Sequence, residues 1–406
     1  MYKVKDIEFM AILLIVLNIY FPYFKYLYFS SYIPFFIGSL IIVVLKFKNI
    51  KFNKKFIVFF AMEVIIAVSC LTNLSANSLV YFIKFTLGLF AVVAISNTES
   101  ENRQKTVKTF KYLSLFFAYS TIILLCFPNL YANINRFMFT EQTASVAIQL
   151  YEFDGFSGIA GQTGNNAFLI MIGGNIVLYE VILKKGKRKT IDIINMFIII
   201  ISILFTSKRI FLAIILLDIM IILYLYLKKN KLTKKQMKLI GIVIIIGVCF
   251  GYYAINNFKV FSRFTGNLLN GREELAGLAI NVIANNPLVG VGIYNFMPYT
   301  NAESNAHNVF FQLICELGIP LGTLVIFLFY KYLYNSFKNI KCDKEINSLK
   351  IFELLGQVVF LTYFFTGNSF YDANMLYFYF VSVSLIVQKG DEIIEKNRNS
   401  NFSQSD

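Results

Sequence analysis

The chain has 406 residues, of which 57% are apolar and only 15% charged. A soluble fold of that length has no interior large enough for so much apolar side chain, so part of its solvent must be lipid. The formal charge of +15 would suit a nucleic-acid partner, but the placement of the basic residues along the chain removes that reading.

A spanning helix needs about 20 mainly apolar residues. In chain order such windows fall at 8–24, 31–45, 56–72, 78–96 and 111–128. After a long connection at 129–162 they resume at 163–183, 190–206, 210–227 and 237–256. After a second, at 257–306, they end with 307–330, 351–367 and 372–388. This predicts an all-α, polytopic membrane protein of about twelve helices, with one domain over 1–390 and a short tail at 391–406. The first window has no small-residue cleavage site and reads as a retained helix. Cys70, Cys126, Cys249, Cys315 and Cys342 form no CxxC pair and read as small apolar residues. With no tryptophan, the 25 tyrosines are the expected interfacial residues.

Basic residues crowd the connections after every second window, for example Lys48 and Lys51, Arg103 and Lys105, Lys187 and Arg188, Lys234 and Lys235, Lys338 and Lys341. Lys3 and Lys5 precede the first window, and Lys389 and Lys396 follow the last. The positive-inside rule puts that side, and both termini, in the cytoplasm. The two long connections then face outward, and Lys25, Arg136, Lys208, Arg209, Lys259, Arg263 and Arg272 are the few basic residues on that side. Glu63 and Lys84, both within windows, are expected to pair, and Asp218 and Glu180 are further intramembrane acids.

His307 is the one histidine and falls at the outer border of the 307–330 window. Asn305 is a plausible cap for that helix. A helix N-terminus disfavours protonated imidazole, so His307 is expected neutral near pH 7 and able to accept a proton. Asn308, Gln312 and Glu316 follow at four-residue intervals and form a polar stripe on one helix face. Glu316 has two readings, a functional carboxylate facing a wet cavity or a structural partner between helices. Upstream, residues 273–284 read as a short amphipathic helix, with Leu275, Leu278, Ile280, Val282 and Ile283 on its apolar side. Arg272 precedes it, and Gly290 and Gly292 permit a tight path after it. Lys208 and Arg209 stand at the outer junction of 190–206 and 210–227, where either is also a possible interface anchor. Guanidinium groups suit diphosphate oxygens. Arginines beside a neutral histidine suggest a lipid-diphosphate site in which the imidazole activates an acceptor hydroxyl. The sequence has no DxD, no HExxH and no paired His and Cys, so neither a metal nor a cofactor is expected.

The stretch GREELAGLAINVIANNPLVGVGIYNF, continued by NAHNVFFQLICELGIPLG, resembles the signature region of the O-antigen ligase and O-antigen polymerase family. The pattern is an Arg before a short helix, a Pro-x-x-Gly-x-Gly turn, and His-Asn followed after nine residues by Gly. Here these are Arg272, Pro287 to Gly292, His307 with Asn308, and Gly318. The family's Ser-Arg pair is interrupted here, with Lys208 between Ser207 and Arg209, and Arg209 is the favoured counterpart. GFSGIAGQTGNNAFLIM, residues 155–171, is similar to the family's glycine-rich approach to the sixth span. The resemblance implies metal-independent transfer of undecaprenyl-diphosphate glycans outside the cytoplasmic membrane. It implies His307 as base, and Arg209 and Arg272 on the donor diphosphate. Lys208, Asn308 and Glu316 are the further candidate substrate-binding residues of this chain.

The expected function is polymerisation of lipid-linked repeat units into O-antigen or capsular polysaccharide. The alternative is a ligase that passes the glycan to lipid A core or protein. The undecaprenyl-diphosphate oligosaccharide is the expected partner, with a flippase and a chain-length regulator beside it. A polysaccharide flippase or transporter is the rival from another class. The two halves show no matching pair of Gly/Pro-broken helices, which argues against it.

Overall fold

The structure is a computed structural model that describes residues 2–26, 32–152, 155–183, 189–229, 272–343 and 347–386. The expected span 237–256, Lys259, Arg263 and the tail 391–406 lie outside the described residues.

The described elements are all helical. They run α1 (Tyr2–Tyr20), α2 (Ile33–Lys46), α3 (Lys54–Thr72), α4 (Ala76–Ser96), α5 (Ser100–Leu125), α6 (Pro128–Met138), α7 (Glu141–Glu152) and α8 (Thr163–Leu183). They continue as α9 (Lys189–Phe205), α10 (Arg209–Lys229), α11 (Arg272–Asn285), α12 (Phe296–Thr300), α13 (Val309–Cys342), α14 (Ser348–Thr362) and α15 (Ala373–Ser384). Among the described residues, six helices are long and apolar enough to cross a membrane: α3, α4, α8, α10, α13 and α14 with its 3₁₀ extension to Phe365. The chain is therefore read as a multi-pass membrane protein. The expected count of about twelve is not confirmed: among the described residues the helices at the other expected positions are shorter or carry more charge, and 237–256 lies outside those residues.

Helix starts follow local chemistry. The Asn53 side chain accepts from Phe56 N–H at 2.9 Å ahead of α3. Ser75 and Ser78 form a reciprocal capping box at α4. Pro128 occupies the first turn of α6, where its missing N–H costs nothing.

Three helices form the centre. Most residues of α8 and α14, and nearly every residue of α15, are buried, as expected for helices apolar all round. Around them pack α1, α4, α5, α9, α10 and α13. Where α5 crosses α8, a side chain at Gly173 would strike the Phe110 carbonyl at 2.2 Å, so the two backbones meet directly.

At the lysine-rich end the charges find partners inside the fold. Lys46 pairs with buried Glu8 at 2.7 Å, and Lys5 with Glu99 at 2.9 Å. Buried Lys55 donates to the Val383 and Ile386 carbonyls. Lys111 pairs with Glu180 and lies 3.5 Å from Asp192. With its amide turned, Asn175 donates to Asp218 at 2.8 Å. The expected Glu63–Lys84 pair is not formed: Glu63 accepts from Thr86, while Lys84, two residues back on α4, lies over the rings of Tyr32 and Tyr294. Residues two apart on a helix do not share a face, so one acid cannot serve both.

The connection at 129–162 is a helical hairpin, α6 and α7, rather than a plain loop. Tyr131 ties its parts together, contacting the Ala147 carbonyl at 3.0 Å and the Ser157 hydroxyl at 2.7 Å.

Candidate active site

The site is organised by a break in α13. Gly318 has φ +75° inside this helix, and Pro320 follows it. A broken helix leaves backbone groups without their i−4 partners, which is costly at membrane depth. The turn at 287–292 supplies the partners. Val291 and Gly292 N–H donate to the Cys315 and Glu316 carbonyls, both at 2.9 Å, and Ile319 N–H donates to the Pro287 carbonyl at 2.8 Å. The fit is so close that a side chain at Gly318 would strike Leu288 O at 2.3 Å, and one at Gly290 the Glu316 backbone at 2.5 Å. Gly290 also has a positive φ, of 74°. The spaced glycines of the motif are thus one device, a turn seated in the gap of a discontinuous helix.

Glu316 lies at that gap and is fully buried. Its carboxylate accepts from Tyr294 N–H at 2.8 Å, Phe296 N–H at 3.2 Å, Gln312 Nε2 at 3.0 Å and Tyr371 Oη at 2.7 Å. These contacts clasp the 293–296 segment and α13 together. Gln312 extends the network, donating to Asn305 Oδ1 at 2.9 Å while its Oε1 accepts from Ala306 N–H at 3.3 Å. The stripe of Gln312 and Glu316 therefore holds the backbone next to His307.

The structure moves the helix cap. α13 starts at Val309, and Asn308 is its N-cap, accepting from Phe311 N–H at 3.2 Å. Asn305 does not cap, because its side chain is taken by Gln312. His307 thus stands before the span begins, with φ +50°. Among the described residues, the non-glycine residues with positive φ are Ser207, Tyr294, Asn301 and His307. All four lie in or beside the segments that the sequence singles out, and such backbone strain clusters at functional sites.

The His307 ring is half-buried, with Nδ1 3.5 Å from Asn368 Nδ2. Burial pushes its pKa below the ordinary 6.5, and the positive charges of Arg272 and Lys208 push it further the same way. Arg272 is the first residue of α11. That helix buries Ala279 and Val282 in a small cluster with Val291, Phe296, Ala306 and Cys315, which fixes it against α13. Ile280, expected on the apolar side, is 55% exposed instead. Lys208 lies beside Gly164 at the start of α8, where Tyr363 also sits. The residue interrupting the Ser-Arg pair is therefore one whose charge reaches His307, and Arg209 opens α10 next to it. Arg136 lies elsewhere, with Lys25 on a cavity of about 580 Å³ lined also by Thr140 and Glu141.

Residues 194–326 match the O-antigen ligase family. The match bears out the resemblance read from the motifs, and it covers Arg209, Arg272, His307, Asn308, Glu316 and Gly318. No curated protein matches the chain. An O-antigen ligase region in a bundle of apolar helices points to glycan transfer of the ligase or polymerase type in a membrane.

Sequence reasoning missed Asn368 and Asp372, on the connection between α14 and α15, and Asn374, in the first turn of α15. The signal was there, in the polar run GNSFYDAN at 367–374 interrupting two apolar windows. Nothing local tied that run to His307, 61 residues away.

Proposed function

We propose that the chain polymerises undecaprenyl-diphosphate-linked repeat units into O-antigen or capsular polysaccharide on the outer face of the cytoplasmic membrane, with both termini inside. The observation that carries this reading is the placement of Arg272 and Lys208, whose charges act on one half-buried imidazole. A neutral imidazole takes the proton of the acceptor hydroxyl as its oxygen attacks the anomeric carbon. The bond from that carbon to the lipid diphosphate breaks, and the diphosphate leaves with the electron pair. Arg272, Lys208 and Arg209 meet its negative charge, which binds more strongly as it develops. No step in this scheme calls for a metal.

Asn368 orients the base. Its Oδ1 is buried without a partner. If its amide is turned, Oδ1 accepts from Nδ1–H of His307, and Nε2 carries the free lone pair. Glu316 and Asn308, whose side chains are engaged by the protein, act as a clasp and a cap rather than as substrate ligands.

Purified protein given lipid-diphosphate oligosaccharide and a chelator should build a ladder of longer glycans. Addition of one glycan block to lipid A core or a protein, without a ladder, would make the chain a ligase. No product with either acceptor would favour the transporter, which the pairing of Glu63, Glu180 and Asp218 with neighbouring side chains argues against.

A further inference from the structure

A second cavity, of about 390 Å³, is lined by Tyr23, Tyr32, Lys84, Tyr294, Asp372 and Asn374 among others. Its size falls within the usual range for small-ligand pockets, about 300–1,000 Å³. Asp372 N–H donates to the Asn368 carbonyl at 2.9 Å, so the cavity begins one turn from the group that touches His307. Two features set it apart from a packing defect. Lys84 stands over the rings of Tyr32 and Tyr294, 5.6 Å from each centroid, and shares the space with the Asp372 carboxylate. Asn374 is only 2% exposed, yet both its amide nitrogen and its amide oxygen are without a partner. A buried amide with neither bond made is rare and costly unless something else serves it.

Cation, carboxylate, free amide and tyrosine rings around one volume match a sugar ring. Its hydroxyls both donate and accept, and its C–H faces lie flat on aromatic surfaces. We propose that this cavity is a subsite for the terminal pyranose of the acceptor glycan, holding that sugar so that its reacting hydroxyl projects toward His307. The assignment rests on the transfer reading above. It gives Lys84, Asp372 and Asn374 a part in choosing which sugar is extended, separate from the cationic donor site of Arg272 and Lys208.

The test uses the full chain in detergent and the free repeat-unit oligosaccharide, released by mild acid from the lipid-linked precursor of the producing cells. The chain has no tryptophan, so Tyr23→Trp places a single indole at the cavity. Titration should change its emission, and equilibrium dialysis of labelled oligosaccharide against the unmodified chain should give the same Kd. Lys84→Met and Asp372→Asn should each weaken that Kd by about tenfold or more, and raise the KM for acceptor more than that for donor. His307→Ala should leave binding of the free oligosaccharide intact. No binding by dialysis, or binding that neither substitution changes in variants that elute as folded protein, would overturn the subsite. Loss of elongation in His307→Ala alongside such a result would leave the transfer reading standing. Full elongation in His307→Ala would remove the transfer reading instead, whatever the oligosaccharide does.

Discussion

The amide of Asn368 lies 3.5 Å from Nδ1 of His307, across 61 residues of chain, and joins the connection after α14 to the residue just before α13. One of these side chains carries the proposed chemistry and the other decides which ring nitrogen is free for it. His307→Ala should cut the elongation rate about 10²–10⁴-fold, the usual worth of a general base. Asn368→Leu should keep the protein folded and the donor KM unchanged, but lower kcat by about tenfold or more. Timed gels of glycan length with purified variants measure both.

The pH profile should follow the depressed pKa of His307. The base works when neutral, so the rate falls only as pH drops through a value below 6.5, the ordinary histidine value. Arg272→Gln removes a positive neighbour that disfavours the imidazolium, so the pKa rises and the acidic limb moves to higher pH. Lys208→Met should act in the same direction. Burial is the largest cause and stays in place, so neither variant should bring the limb fully to the exposed-histidine position. Elongation rates from pH 5 to 8 at saturating donor read the shift.

Glu316 should behave as a clasp. Glu316→Ala strands the Tyr294 and Phe296 N–H groups, the Gln312 amide and the Tyr371 hydroxyl, each buried or partly so. Leaving even one such donor unmet costs about 1–3 kcal/mol, so a clear drop in thermal stability in detergent is expected. A carboxylate that only touched substrate would leave the melting temperature unchanged.

Gly318→Ala and Gly290→Ala should both destabilise. Each position has a positive φ, and each added methyl meets backbone rather than a flexible side chain. The left-handed strain alone is worth about 1–3 kcal/mol, before the displaced turn is counted. Gly277→Ala, on the exposed path of α11 with open space around it, serves as the control that should leave stability near the parent. Thermal unfolding of the three variants compares them directly.

Much of this protein is written in local pattern. The 20-residue apolar windows anticipate the helices at 56–72, 78–96, 163–183, 210–227, 307–330 and 351–367, and a 3.6-residue period anticipates α11 almost to the residue. The motif residues Arg272, Gly290, Gly292, His307 and Gly318 also stand out, through the resemblance to the family's signature region. What the pattern could not hold is which segments meet. A run of apolar residues tells a helix from a loop but says nothing about a partner more than a hundred positions away. Only the packed bundle shows that the 287–292 turn fills the break in α13, that Lys84 leaves Glu63 to Thr86 and faces Asp372, and that Asn368 reaches His307. Those contacts depend on the order in which buried faces close on one another, and that order is a property of the whole fold rather than of any window along it.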